Sequence, residues 1–144
     1  MSSPTLDAGS PGDTLAHSVI GQIAIFVHDL DRAVAFYRDT LGLLFLFQVP
    51  GLAFFDCGGV RLMLDAAAQE ENPSRAFGTS VIYYKVPDLQ QSCDALARRG
   101  VRWTHAPHLV AQMPDHDLWM AFCDDSEGNM LALMSEVRPP AARG

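Results

Sequence analysis

At 144 residues the chain holds one domain, or two small modules sharing a core, and its 49% hydrophobic content can fill that core, which excludes a disordered protein. Ten Lys and Arg against seventeen Asp and Glu give a net charge of −7, which excludes nucleic acid and anionic membrane as partners because phosphate binding needs clustered cations. No apolar run approaches the roughly 18–20 residues of a bilayer span, and the three scattered cysteines (Cys57, Cys93, Cys123) suggest reduced, buried thiols, so a cytoplasmic protein is expected.

In chain order, residues 1–17 are rich in Ser, Pro, Gly, Asp and Thr and read as a tail without signal-peptide features. A strand over about 21–27 leads to Asp29, placed to cap a helix whose Leu30, Val34, Tyr37 and Leu41 share one face and whose end is marked by Gly42. Three short strands follow, "LLFLFQV" (43–49), "LAFFDC" (52–57) and "VRLMLD" (60–65), separated by Pro50-Gly51 and Gly58-Gly59. Residues 66–79 are a polar linker. The plan then repeats: strand, Asp88 cap, a helix carrying Leu89, Cys93 and Leu96, Gly100, and candidate strands at 101–111, 118–123 and 129–135, with 138–144 as a second tail. Asp29-Leu30 matches Asp88-Leu89 at an offset of 59, so the chain is an internal repeat of β-α-β-β-β modules, 18–65 and 80–137. The expected class is α+β, with two modules forming a curled mixed sheet that cups a cavity and helices on its outer face.

Two such modules, with "IAIFVHDLDRAVAFYRDTLGL" in the first, "GGVRLML" in its last strand and "DSEGNMLALM" closing the second, resemble the vicinal oxygen chelate superfamily. That group includes glyoxalase I, bleomycin-resistance proteins and extradiol dioxygenases. The resemblance implies a small-molecule site inside the cup and a homodimer. Where the family uses a metal, its four ligand positions would fall on Gln22, Met63, Val81 and Ala132. Valine and alanine have no donor atom and a thioether suits soft copper(I), so no metal and no cofactor are expected.

Strand alternation assigns a second property to the same positions. If they face the cup, so do Ala24, Phe26, Arg61, Asp65, Tyr83, Lys85, Met130 and Met134, while Ile23, Ile25, Val27, Leu62, Leu64, Ile82, Tyr84, Val86, Leu131 and Leu133 face the helices. The predicted ligand-binding set is Gln22, Phe26, Arg61, Met63, Val81, Tyr83, Lys85, Met130, Ala132 and Met134, joined by His105, His108 and Trp119 from the second and third strands of the second module. Apolar walls with few polar groups suit a small apolar or aromatic ligand, and methionines adapt to its shape. Filling of the cup by its own side chains is the plainer alternative.

His105 and His108 lie three apart, so a regular strand would point them to opposite faces, and only a bulge at Pro107 would unite them. A metal-dependent lyase, isomerase or dioxygenase with ligands displaced to His105, His108, Asp115 or His116 is the alternative function. A non-catalytic assembly module is a third. "DDSEG" (124–128) reads as turn chemistry rather than a calcium loop.

Overall fold

The computed structural model describes residue 16 and residues 19–66 and 80–138. The stretches read as tails and linker lie almost wholly outside the described residues. The elements are β1 (Gln22–Phe26), α1 (Leu30–Ala35) continuing into a π-helical turn (Phe36–Thr40), β2 (Leu44–Val49), β3 (Leu52–Cys57), β4 (Val60–Asp65), β5 (Ile82–Lys85), α2 (Leu89–Arg98), β6 (Trp103–Gln112), β7 (Asp117–Asp124) and β8 (Met130–Val137). Each half is β-α-β-β-β, as the repeat predicts.

The helix starts and stops follow from the residues read for them. Asp29 accepts the Arg32 N–H at 3.1 Å and Asp88 accepts the Gln91 N–H at 3.0 Å. Gly42 and Gly100 take φ of 78° and 101°, a left-handed geometry that costs a side chain dearly. One difference is local: the end of the first helix widens, with the Leu41 N–H bonded to the Phe36 carbonyl five residues back at 2.9 Å. Phe36 and Leu41, joined by that bond, both pack against Val101, Cys123 and Leu131 of the second module.

The strands form two four-stranded mixed sheets, ordered β1-β4-β3-β2 and β5-β8-β7-β6. In each, the first pair is parallel and the others antiparallel. All ten residues expected to face the helices do so: Ile23, Ile25, Val27, Leu62, Leu64 and Ile82 pack with Ala33, Val34 and Tyr37, and Tyr84, Val86, Leu131 and Leu133 pack in the cores around α2 and its flanking strands. Cys93 and Cys123 are buried thiols as expected, and Cys57 is half-buried.

The turn between β7 and β8 joins the modules. Asp125 accepts hydrogen bonds from the Tyr37 hydroxyl (2.7 Å) and from the N–H groups of Glu127 (2.7 Å) and Asn129 (2.8 Å), while Asn129 Nδ2 donates to the Phe26 carbonyl (3.0 Å). Glu127, its side chain fully buried, accepts the N–H groups of His28 and Asp29 at 2.9 Å each, and Arg32 Nε at 2.7 Å. The "DSEGN" stretch is thus turn chemistry, and it also fastens the second module onto the start of the first helix.

Candidate functional site

The sheet faces opposite the helices carry the residues predicted to line the cup. In the first module Gln22 and Arg61 are register partners, as are Ala24 and Met63. Gln22 Nε2 approaches Met63 Sδ to 3.8 Å, so two of the four inferred ligand positions are neighbours. Phe54 sits opposite Met63 and stacks on Phe47, ring centres 4.6 Å apart, with the Arg61 guanidinium 5.9 Å from the Phe54 ring centre. Phe26 lies at the end of β1, half-buried.

In the second module Tyr83 pairs with Ala132, and Lys85 with Met134. Ala132 is fully buried, whereas Tyr83 and Met130 stay 45% and 43% exposed, so this face is open around a closed centre. Val81 immediately precedes β5 and is half-buried. Lys85 is held by Glu136 at 3.1 Å on the same face.

Strand β6 brings His105 and His108 together. Its ladder with β7 slips between Trp103 and His105, again between His105 and His108, and again between Leu109 and Ala111. The middle slip spans Pro107, which has no N–H to lose from the ladder, and it sets His105 opposite Phe122 and His108 opposite Met120. The Phe122 ring then has three aromatic neighbours: Tyr83 at 6.1 Å and His105 at 5.8 Å, both edge-on, and His108 at 6.3 Å, nearly parallel. His108 Nδ1 lies 2.7 Å from the Ala106 carbonyl. A carbonyl offers only lone pairs, so that nitrogen carries the proton and Nε2 is the one able to accept another.

Trp119 is a correction. It pairs with Leu109 in the ladder and packs on the helix side with Leu89, Cys93 and Ala121. It neighbours His108 in space by strand order but belongs to the opposite face. Phe54, Phe47, Met120 and Phe122 were not in the predicted set, although they flank it through the ladder.

The inferred metal positions do not fit a divalent ion. Gln22 supplies one amide, Met63 a thioether, and Val81 and Ala132 nothing, so a hard or borderline cation would have one good protein donor. Among the described residues no group of three or more His, Cys, Asp or Glu side chains is placed to hold a metal. His116 turns to Asp115 at 2.8 Å, and Asp115, also bonded to Arg138, is held down at about 2 by the Arg138 and His116 hydrogen bonds.

A family model described as the Glyoxalase/Bleomycin resistance protein/Dioxygenase superfamily matches residues 19–133. The chain belongs to this superfamily. Among superfamily structures, it is similar to a lactoylglutathione lyase from Agrobacterium tumefaciens, with 27% identity, TM-score 0.66, and coverage of 82% of this chain and 93% of that one. A superfamily member from Sphaerobacter thermophilus shares the fold at TM-score 0.68 and 23% identity, covering 83% and 98%. The protein YraH of Bacillus subtilis is 29% identical over 67% of this chain and 91% of its own length. No helix among the described residues is long and apolar enough to cross a membrane.

Proposed function

We propose that this superfamily member binds a small aromatic or otherwise apolar molecule on the sheet face opposite the helices, without the divalent metal other members hold there. The observation that carries this reading is the aromatic cluster centred on Phe122, with Tyr83, His105 and His108 around it and Ala132 beneath. Aromatic rings in offset or edge-on contact favour a further planar ring by about 0.5–1.5 kcal/mol per pair. Met120, Met130 and Met134 on the same strands supply flexible, polarizable contacts. The outcome is sequestration of the ligand, as in resistance-type members, or a metal-free conversion in which His108 Nε2 takes a proton.

Likeness to a lactoylglutathione lyase makes thioether adducts of glutathione a sensible part of the ligand panel. Isothermal titration of metal-stripped protein with indole- and naphthalene-type aromatics and glutathione thioethers tests the reading. Saturable binding weakened by Phe122→Leu supports it. Absence of binding across the panel, or binding indifferent to that substitution, contradicts it.

The second reading, a metal enzyme with displaced ligands, draws on His105 and His108 sharing a face. Two imidazoles without a third protein donor make a weak site. We also infer a homodimer. Leu44, Leu46, Phe47 and Val49 on edge strand β2, with Leu109 and Val110 on edge strand β6, are 43–63% exposed, and a second copy would cover them.

A further inference from the structure

The two modules repeat one plan, yet their mutual packing is unequal. Ile23 pairs with Leu62 as Ile82 pairs with Leu131, and Phe55 pairs with Leu62 as Cys123 pairs with Leu131. By these registers and the Asp29 and Asp88 caps, Phe36 and Tyr37 of the first helix correspond to Ala95 and Leu96 of α2. Asp125 corresponds to Cys57.

Where the first helix meets the second module, Phe36 and Leu41 pack on Val101, Cys123 and Leu131, and Tyr37 is hydrogen-bonded to the 125–129 turn. Where α2 meets the first module, Ser92, Ala95 and Leu96 border open space together with Cys57 and Val60, which flank the Gly58-Gly59 hairpin. The space left is a cavity of about 540 Å³ on the helix side of the sheets, walled by Ile23, Leu62, Ile82 and Leu133. Its size suits a small-molecule site.

Among the polar residues that interrupt its apolar wall, Tyr84 and Arg99 stand out. The Tyr84 hydroxyl is buried and, alone among the buried side-chain polar atoms of the described residues, has no hydrogen-bond partner. Arg99, at the end of α2, lines the same cavity, and among the described residues its guanidinium hydrogen-bonds only to the Thr40 carbonyl, at 3.3 Å, with no ion pair to a carboxylate. Lys85 also lines the cavity, but its ammonium is committed to Glu136.

We propose that this seam cavity is a second ligand site, which takes an amphiphilic carboxylate with its apolar body against the Ile, Leu and Val wall and its carboxylate on Arg99. Burial of the apolar body drives binding and the guanidinium fixes its direction. Of the Phe122 cluster only Tyr83 also borders this cavity, while His105, His108 and Phe122 do not, so substitutions at those three test the proposed function separately from this site.

The probe is decanoate, titrated calorimetrically into the full chain. One saturable site is expected. Ala95→Phe gives α2 the side chain the first helix carries at Phe36, fills the cavity, and is expected to remove binding without lowering thermal stability. Arg99→Gln is expected to weaken decanoate about tenfold, the worth of one charge-assisted hydrogen bond, and to leave decanol unchanged. Alkylation of Cys57, in the cavity wall, by N-ethylmaleimide is expected to slow when decanoate is bound. His108→Ala is expected to leave decanoate binding intact, which separates this site from the opposite face.

Absence of saturable binding overturns the proposal, as does undiminished binding to folded Ala95→Phe. So does an equal loss for decanoate and decanol in Arg99→Gln, the pair that decides if Ala95→Phe does not fold. A Cys57 thiol inert without decanoate, in protein that binds none, would assign the cavity to another part of the chain or to a second copy and also overturn it.

Discussion

The phenol of Tyr37 donates a 2.7 Å hydrogen bond to Oδ2 of Asp125, joining residues 88 positions apart and tying the first helix to the turn that precedes β8. Tyr37 is 1% exposed and Asp125 7%, so water cannot replace either partner. Burial first, and then the Asp125 carboxylate, push the Tyr37 hydroxyl far above its usual range, which keeps it a donor at every working pH. Tyr37→Phe keeps the ring packing and removes only the donor. Chemical denaturation is expected to show a loss of about 1–3 kcal/mol, the cost of a buried acceptor left short of a partner. An unchanged midpoint would mean that the turn holds without the phenol.

Glu127 gives a pH dependence of definite sign. Burial pushes its carboxyl up, but the hydrogen bonds from Arg32, from the Asp29 and His28 N–H groups and from Ser126 outweigh it and hold the group at about 2, below its ordinary 4.5. A depressed carboxyl contributes stability that is present above the unfolded value and is lost as pH falls through the folded one. Wild-type stability is therefore expected to fall between pH 4.5 and about 2, and Glu127→Gln to be less stable at neutral pH with a flatter profile in that window. Parallel slopes for the two proteins would contradict the assignment.

His105 and His108 are exposed, so replacing either with Ala is expected to change stability by no more than about 0.5 kcal/mol. Each substitution removes one ring beside Phe122 and is expected to weaken an aromatic ligand by roughly two- to tenfold. Calorimetry on the single variants measures both quantities. Full affinity in the double variant would remove the imidazoles from the site.

Sedimentation is expected to give a particle of twice 15.7 kDa, and Leu46→Lys, on the exposed edge strand β2, is expected to return it to a monomer. A wild-type monomer at micromolar concentration would leave the apolar edges without the cover inferred for them.

Much of this architecture was legible because strand alternation is strict. Ten residues from four strands could be sent to the helix side, and all ten went there. Phe54 could have been found the same way: the two-residue Gly58-Gly59 hairpin fixes the β3–β4 register and sets it opposite Met63. Phe122 could not, because the turn before β8 runs from Asp125 to Asn129 and its length leaves the register open. The meeting of His105 and His108 depends on a slip in β6 that no spacing rule announces, although Pro107 marks the place. Trp119 was placed by its company in the sequence rather than by alternation, and alternation from Phe122 puts it on the helix side. The seam cavity was invisible because it arises from how two modules meet, not from any one strand.

The central claim is that the face carrying Tyr83, His105, His108 and Phe122 binds its ligand without a divalent metal. The most direct measurement follows the NMR signals of these four side chains while indole- and naphthalene-type aromatics and glutathione thioethers are titrated into protein stripped by a chelator, and then into the same protein after Zn²⁺, Ni²⁺, Mn²⁺ or Fe²⁺ is restored. The account predicts saturable shifts of equal affinity in both samples. Shifts that appear only after a metal is restored would contradict it.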